Sequence, residues 1–531
     1  MARRSLIAIG LLALALHGLG MARSLLPAQD GLKYIRFAKR FGHEPWMDVV
    51  RASDQHPLYS MLIAATEPPV ALILGEGPTA WRIAAQLVSV IAALATLVPL
   101  YGLSKALFGQ GPAVLATLSY VLLPIPAAIG RDTLSDSVAI LFFATAMRLG
   151  EVALRTGRRS AWIGTGLVAG IGYLARPEIL VVPVALAITG LLPSIARSLR
   201  RLPDVPRSIA LSRLLLARVA ALGVASLTIV GGYAMVKGEV SEKLTLRIGA
   251  GLPPSSTPKA ARTPMPPGLD DPRWDFSPKE ESTGIHVKGS SRRAIIRLAQ
   301  QWAEGLAWVF VIPLAWGVYR GRSIEGSAVG RELVGVYLLL FTAIVVRHAS
   351  SLGYLSGRHA LTMVVLSLPW VGAGLWSWAR ALPARRGLSL VEARRLATVG
   401  LAGLIAVGVT AQVKAMHPSR WGHWAAGQWL IQNAEPNAAV LDTRGWAGFV
   451  RGGLVYDTWH IRQALTDPRL AFVVVGSDEL AAGTHRAATY QALLAHAGSP
   501  VAEFPERQGG ADVGVRVYHF NPPESWRGMG R

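Results

Sequence analysis

Three carboxylates stand where long apolar segments begin or end. Asp30 follows the first such segment, Asp132 precedes the fourth, and Asp136 falls one turn inside the fourth. An Asp at a helix start can simply cap backbone N–H groups, and this alternative applies to Asp30 and Asp132. It does not explain Asp136, because a carboxylate buried at membrane depth must be paired or functional. An accessible carboxylate at such a level could take a proton from a hydroxyl group.

Two arginines lie beside other segment ends. Arg176 opens Arg176-Pro177-Glu178 between the fifth and sixth segments, and Arg358 with His359 precedes the tenth. A guanidinium donates two parallel hydrogen bonds to a phosphate, so these cations suit a lipid phosphate at the membrane surface. The plainer alternative is that each arginine only anchors a helix end.

The stretch between the first two segments has two features. Leu32, Ile35, Ala38 and Phe41 recur at helical spacing among basic residues, which predicts an amphipathic helix lying in the membrane interface. The run Asp54-Gln55-His56-Pro57-Leu58-Tyr59 then turns from polar to apolar. A lone His is more often a surface or core residue than a ligand, so this run is a weak signal alone.

Composition places all these residues in a membrane protein. The 531 residues are 51% hydrophobic and 16% charged, with mean hydropathy +0.37, whereas soluble proteins carry about 25% charged residues. The net charge of +22 comes from Lys and Arg that lie mostly between apolar segments, which indicates membrane orientation rather than nucleic-acid binding. The chain has no Cys, which excludes disulfides, thiolate metal sites and cysteine nucleophiles.

Eleven segments are apolar enough to be predicted as membrane spans. They lie near 5–21, 82–101, 112–129, 134–152, 161–175, 178–193, 214–236, 302–319, 332–347, 360–379 and 396–413. Basic residues cluster on alternate sides, and the positive-inside rule then puts the amino terminus in the cytoplasm and the carboxyl terminus outside. The cytoplasmic set is Arg3, Arg4, Lys105, Arg155, Arg158, Arg159, Arg197, Arg200, Arg201, Arg207, Arg213, Arg320, Arg322, Arg331, Arg380, Arg385, Arg386, Arg394 and Arg395. The alternative interpretation of residues 1–21 is a signal peptide that is cleaved off.

The predicted division is a transmembrane domain, 1–413, and a soluble outer domain, 414–531. The first contains two outer loops, 22–81 and a Pro-rich loop, 237–301, whose composition favours extended backbone. The second alternates helical and strand patterns, which predicts a small α/β domain. Its predicted helices are 421–433 and 484–497, and its predicted strands are 439–442, 471–476 and 513–520.

In this order, the motifs resemble those of the GT-C superfamily of membrane glycosyltransferases, notably the bacterial branch related to protein O-mannosyltransferases and to aminoarabinose and galacturonic acid transferases. The resemblance covers about residues 1–415. The matching residues are Asp30, His56-Pro57-Leu58-Tyr59, Arg131 with Asp132 and Asp136, Arg176-Pro177-Glu178 and Arg358-His359. Many relatives have a second acid after the first, where this chain has Gly31, and two Pro where it has only Pro57. Fewer carboxylates weaken a hard-cation site, which puts a metal in doubt.

The resemblance implies a polyprenyl-phosphate sugar as donor and transfer to an acceptor hydroxyl, in one inverting displacement, at the outer face of the inner (plasma) membrane. Asp30 would be the general base, and Asp132 or Asp136 would orient the acceptor. The residues implied to hold the donor phosphate are His56, Arg131, Arg176 and Arg358. Those implied to contact substrate are Asp54, Tyr59, Glu178 and His359.

The implied partners are the lipid-linked sugar, membrane lipid and an acceptor glycan, lipid or protein, without nucleic acid. No cofactor is certain, although a divalent cation is compatible with the resemblance. The alternative function is a membrane transporter or lipid flippase, which would also need polar groups at span ends. Transporters commonly show paired halves with broken helices, and the sequence shows no such halves. A third alternative, a structural membrane protein, would not require Asp30 and Asp136 together.

The arginine distribution generates a topology prediction. Reporter fusions after Arg201 and Arg386 should report the cytoplasm, and fusions after Pro267 and Pro436 the outside, because basic loops stay on the cytoplasmic side. A cytoplasmic signal from the Pro436 fusion would contradict the topology and the outward-facing chemistry with it.

Overall fold

The computed structural model describes residues 2–199, 205–238, 290–321, 323–352, 355–385, 389–413, 416–481, 487–521 and 523. It consists mostly of α-helices up to residue 412, and a small sheet follows. The predicted fold class, a helical membrane protein with a small α/β domain at its carboxyl end, is confirmed. Most of the predicted Pro-rich loop, from residue 239 to 289, lies outside the described residues.

Sixteen α-helices precede the C-terminal domain within the described residues. They are α1 Ala2–Ala22, α2 Gln29–Arg40, α3 Trp46–Ala52, α4 Pro57–Leu74, α5 Pro78–Phe108, α6 Gln110–Leu122, α7 Pro124–Arg131, α8 Asp136–Thr156, α9 Arg159–Tyr173, α10 Val181–Leu199, α11 Val205–Lys237, α12 Ser291–Gly305, α13 Val311–Gly321, α14 Ala328–Leu352, α15 Gly357–Arg385 and α16 Leu390–Gln412. A 3₁₀ turn, Pro177–Leu180, joins α9 to α10.

Eight of the described helices are long and apolar enough to cross a membrane, and the bent pair α6 and α7 would make nine. The eight are α1, α4, α5, α8, α11, α14, α15 and α16. The pair bends by 63° because Pro124 keeps the preceding Leu123 in an extended conformation. The count of eleven spans therefore stays a prediction.

Helix α4 lies in the stretch predicted as the first outer loop. Its first turn is held at the end of α9 by the Leu58 N–H, which donates to the Leu174 carbonyl at 2.9 Å. In the same turn, the Tyr59 hydroxyl donates to the Ala85 carbonyl of α5 at 2.9 Å. The last turn of α4 leads through Gly75-Glu76-Gly77 into α5. With 31 residues, α5 is about 46 Å long, longer than the roughly 30 Å hydrocarbon core. Helix α4, itself among the eight candidate spans, packs against α5.

The eighth predicted span, 302–319, is broken in the structure. Helix α12 ends at Gly305, Ala307 and Trp308 take positive φ angles of 50° and 57°, and α13 begins at Val311. Pro313 explains the break, because in a continuous helix its ring would clash with the carbonyl four residues earlier. The first turn of a new helix tolerates that ring.

The C-terminal domain is a five-stranded sheet with helices packed on it. The strand order is β2-β1-β3-β5-β4, with β1 parallel to β2 and β3, and β5 antiparallel to β3 and β4. Its elements are α17 Trp421–Asn433, β1 Ala439–Asp442, α18 Trp446–Arg451, β2 Val455–Tyr456, α19 Ile461–Thr466, β3 Leu470–Gly476, α20 Ala487–Leu494, β4 Ala502–Pro505 and β5 Val513–His519. Each predicted element has a counterpart there, whereas β2, β4 and the short helices were not predicted.

The apolar side of helix α2 packs against protein. The apolar side that its spacing predicted includes Leu32, Ile35 and Ala38, which are all buried. Leu32 shares an apolar cluster with Leu26 and with Trp446 of the C-terminal domain. The helix and its buried face are present as predicted and this face contacts protein, whereas its position in the membrane interface stays a prediction.

Candidate active site

Residues far apart in the sequence meet in one network of ion pairs. Asp136 begins α8, Asp30 lies in the first turn of α2, and Arg358 lies in the first turn of α15. Arg176 and Glu178 belong to the turn between α9 and α10. Because these element ends meet at one end of the helical bundle, five of the residues singled out from the sequence form a single cluster.

Asp136 is the centre of this network. Its Oδ2 accepts hydrogen bonds from Nε and Nη2 of Arg358, at 3.1 and 2.6 Å, and its Oδ1 pairs with Nη1 of Arg176. The Asp136 side chain is only 2% exposed. An unpaired charge buried there would be strongly destabilising, so the two guanidinium groups are what allows an ionised carboxylate at this depth.

Asp30 is the accessible carboxylate of the network. Its Oδ2 accepts a hydrogen bond from Nη1 of Arg358 at 2.5 Å, and its side chain is 49% exposed. The cap position of α2 is Ala28 rather than Asp30, so the capping alternative does not account for this residue. A second molecule can reach Asp30, whereas the oxygens of Asp136 are covered by the two arginines.

Arg176 completes the network from the α9–α10 turn. Its Nη2 donates to Oε1 of Glu178 at 3.2 Å, and its backbone is extended because Pro177 follows it. Burial alone would lower the pKa of Arg176, but the carboxylates of Asp136 and Glu178 raise it above its usual range. The guanidinium therefore stays charged.

A pocket opens beside these charges. One end is polar and contains Asp136, Arg176, Glu178, Arg358, His359 and His348. The remainder is mainly apolar, with Phe143, Phe341 and Val345 among its lining residues. Such a cavity suits an amphiphile whose anionic group meets the arginines and whose hydrocarbon chain lies along the apolar walls.

Asp132 belongs to a separate, neighbouring network. Its Oδ1 accepts hydrogen bonds from the backbone N–H groups of Ala28, at 3.1 Å, and Thr133, at 2.8 Å, and its Oδ2 lies 3.0 Å from Nε2 of His417. Burial alone would raise the pKa of Asp132, but the hydrogen bond from His417 and the charge of Arg420 hold it below its usual range. Asp132 is thus occupied in holding the chain that leads into α2.

Arg131 lies away from the predicted phosphate position. Its side chain packs against Gly20 of α1, its Nη2 donates to the Gln412 carbonyl at 3.2 Å, and its Nε contacts the Met416 sulfur at 3.1 Å. It does not line the cavity described above. The prediction that Arg131 holds the donor phosphate therefore conflicts with its position, because the side chain points toward α1 and α16.

The His56 motif is also placed elsewhere. The His56 ring packs against Tyr173 and Tyr233, at centroid distances of 5.0 and 5.6 Å. Tyr59 is fully buried and bonded to α5, and Asp54 is exposed and accepts a hydrogen bond from Gln55 at 2.8 Å. The structure does not bring these three residues into the arginine network, and the contacts of His56 and Tyr59 instead hold α4 on the bundle.

A model of the family described as dolichyl-phosphate-mannose-protein mannosyltransferase matches residues 57–226, a stretch that includes Asp136 and Arg176. No curated protein sequence matches the chain. ArnT from Cupriavidus metallidurans, solved with bound undecaprenyl phosphate, has a TM-score of 0.57 at 14% identity over 98% of both chains. The oligosaccharyltransferase AglB from Archaeoglobus fulgidus, solved with an inhibitory peptide and a dolichol-phosphate, has a TM-score of 0.56 at 13% identity over 90% of this chain and 69% of that one. Both are GT-C glycosyltransferases.

The chain has the GT-C fold. The superfamily resemblance predicted from the motifs is confirmed, and the family match agrees with the predicted class of enzyme, a glycosyltransferase. The identities are low, so what these neighbours share with the chain is the fold.

Gly31 is explained by packing within this GT-C chain. A Cβ atom at Gly31 would overlap the Thr133 hydroxyl, so no acidic side chain fits directly after Asp30. Among the described residues, no three His, Asp or Glu side chains come together as metal ligands. Binding of a divalent cation therefore stays a prediction, and no group of ligands among the described residues supports it.

The candidate site also includes residues that sequence reasoning missed. His348 lines the cavity, with its ring centroid 5.5 Å from that of His359, and the Tyr34 hydroxyl is 2.8 Å from the Ser135 hydroxyl beside Asp136. His348 stands at the end of α14, so the criterion applied to Arg358, a polar residue at an outer span end, would have selected it. Tyr34 gave no such signal, because a Tyr on an apolar helical face is typical of a core.

Proposed function

We propose that this protein is a glycosyltransferase that moves a sugar from a polyprenyl-phosphate donor to an acceptor hydroxyl, by a single inverting displacement, at the outer face of a bacterial inner membrane. The observation that carries the proposal is the position of Asp30. It is a half-exposed carboxylate bonded to Arg358, and Arg358 and Arg176 stand at the polar end of an apolar cavity.

The lining of the cavity supports the proposal for both parts of such a donor. The polyprenyl chain would lie along the apolar walls, and the phosphate would lie against Arg176 and Arg358. Each guanidinium carries five N–H donors, and toward the described carboxylates Arg358 uses Nε, Nη1 and Nη2 while Arg176 uses Nη1 and Nη2. Further N–H groups therefore stay available to phosphate oxygens. Glu178 and His359 line the same end and would contact the sugar or the phosphate.

The chemical step needs a base and a stabilised leaving group. The acceptor oxygen attacks the anomeric carbon, its proton passes to Asp30, and the bond from that carbon to the phosphate oxygen breaks. The electron pair leaves with the phosphate, whose added charge is stabilised by Arg176 and Arg358. A single attack from the opposite side inverts the anomeric configuration. Asp136 acts by holding both arginines, and Asp132 acts by holding the chain before α2.

The same residues support the proposed orientation of the protein in the membrane. All the groups that would react lie at the end of the bundle where the positive-inside rule puts the outside, and the C-terminal domain lies at that end as well. The amino terminus would then be cytoplasmic. The acceptor would be a glycan, lipid or protein that reaches the outer surface, and membrane lipid would surround the bundle.

Release of free polyprenyl phosphate tests the function. Purified protein supplied with a panel of undecaprenyl-phosphate hexoses and pentoses, and with an envelope extract as acceptor source, should release undecaprenyl phosphate as sugar is incorporated. Movement of the donor between the leaflets of a vesicle without any release would instead favour a flippase.

Asp30→Asn should lower turnover by about 100-fold or more, because it removes the general base at nearly constant size. Expression and thermal stability should persist, since Ala28 occupies the cap position of α2. Asp48→Asn is the matched control, because Asp48 is an exposed residue of α3 paired with Arg51 at 3.4 Å. Full activity of Asp30→Asn would show that another group accepts the proton.

Arg358→Lys and Arg176→Lys should each weaken binding of undecaprenyl phosphate by about tenfold, because Lys keeps the charge but loses the planar fork. Arg516 lies on β5 and pairs at the surface with Glu503 of β4. Arg516→Lys is therefore the control for a general effect of replacing Arg by Lys. Binding can be measured by titration of the lipid into the detergent-solubilised protein. Unchanged affinity in both variants would contradict a phosphate site at these arginines.

A further inference from the structure

The short segment that leads into α2 is held from two sides. On one side, the C-terminal domain donates to the Pro27 carbonyl through Nη1 of Arg420 at 2.8 Å and Nε1 of Trp446 at 2.9 Å. On the other side, the Ala28 N–H donates to Oδ1 of Asp132 at 3.1 Å and to the Thr133 hydroxyl at 2.9 Å. Asp30, the proposed base, follows only two residues later.

The two donors from the C-terminal domain support each other. The Arg420 guanidinium lies over the Trp446 ring, 4.6 Å from its centroid, a distance at which a cation and an aromatic face attract. Together they use both lone pairs of one carbonyl, so the direction of the Pro27 carbonyl is fixed. Burial lowers the pKa of Arg420 to about 10, which still leaves it charged at neutral pH.

The two sides of the segment are connected to each other. His417 and Arg420 both belong to the short stretch that enters the C-terminal domain, and Nε2 of His417 lies 3.0 Å from Oδ2 of Asp132. The carboxylate that holds Ala28 is therefore itself held by the stretch that also holds Pro27. Pro27-Ala28, Asp132, His417 and Arg420 form a closed ring of contacts around the entrance to α2.

The C-terminal domain continues this contact along α2. Nη2 of Arg36 lies 2.7 Å from Oδ2 of Asp457, and Leu32 packs in the cluster of Trp446. By contrast, the only bond found for the Asp30 carboxylate within the described chain is the one to Arg358. The placement of Asp30 thus depends on how firmly the backbone before it and the helix after it are held.

We infer that the C-terminal domain is part of the catalytic apparatus, and that Arg420 and Trp446 are positioning residues that fix the segment carrying the general base. This inference rests on the proposed function for the identity of the base. The contacts are with backbone next to Asp30 and not with the cavity. Loss of either donor should therefore reduce turnover and leave binding of the donor lipid unchanged.

Two variants test this inference through kinetics. Arg420→Met and Trp446→Phe should each lower turnover about tenfold, because displacements of about 1 Å can cost up to 100-fold, while the Kd for undecaprenyl phosphate stays within about twofold. Arg420→Lys can still donate to Pro27 and should retain most of the activity. Arg516→Met, in the same domain but paired at the surface with Glu503, is the control. Equal losses in turnover and lipid affinity, or no loss of turnover, would overturn the inference.

A spectroscopic measurement tests the same contact without activity. The chain has no Cys, so Gln29→Cys carries a single spin label next to Asp30. Its spectrum should report greater mobility when Arg420→Met or Trp446→Phe is added, and no change when Arg516→Met is added. Greater mobility in a protein that releases no polyprenyl phosphate would disprove the proposed function and keep the positioning role. Unchanged mobility in both variants would disprove the positioning role.

Discussion

The structure at one end of the helical bundle depends on one buried carboxylate held between two arginines. Asp136 is ionised where few charges are tolerated, and it is compensated by Arg176 from the α9–α10 turn and Arg358 from α15. Removing one partner of a buried pair typically costs about 3–5 kcal/mol. Three elements that are distant in sequence are therefore fixed to one another, and Arg358 extends the constraint to a fourth through Asp30. The cavity beside them has a polar end because this cluster forms it.

The sequence predicted the elements whose signal is local. The hairpin at Arg176-Pro177, strand 439–442 and helix 421–433 were all predicted from spacing, Pro position and β-branched content. The break after Gly305 was not, because the effect of Pro313 depends on whether a helix continues through it or restarts just before it. Helix α4 was missed because Glu67, Pro68 and Pro69 interrupt its apolar run, and Pro inside a helical pattern indicates a helix end.

The candidate site was predicted best where charge and topology agreed. Asp30, Asp136, Arg176, Glu178, Arg358 and His359 meet because each is a polar residue at a helix end on the side that the sequence predicted as the outside. The same criterion also selected His56, Tyr59 and Arg131, which instead pack against neighbouring helices. No sequence pattern distinguishes a polar side chain that faces a neighbouring helix from one that faces a cavity. The role of Asp132 depends on Ala28 and His417, about 100 and 285 residues away in the chain, so only the fold could show it.

On the proposed mechanism, charge moves within reach of Arg358 as the reaction proceeds. Before transfer, Arg358 and Arg176 face the carboxylates of Asp30, Asp136 and Glu178, and the donor phosphodiester shares the Arg358 guanidinium with ionised Asp30. Proton transfer neutralises Asp30 at the time when the departing phosphate gains a second negative charge. Arg358 can then exchange Asp30 for the phosphate, so its bond to the leaving group is strongest in the transition state. An interaction of that kind accelerates the chemical step, whereas equal binding of substrate and transition state would not.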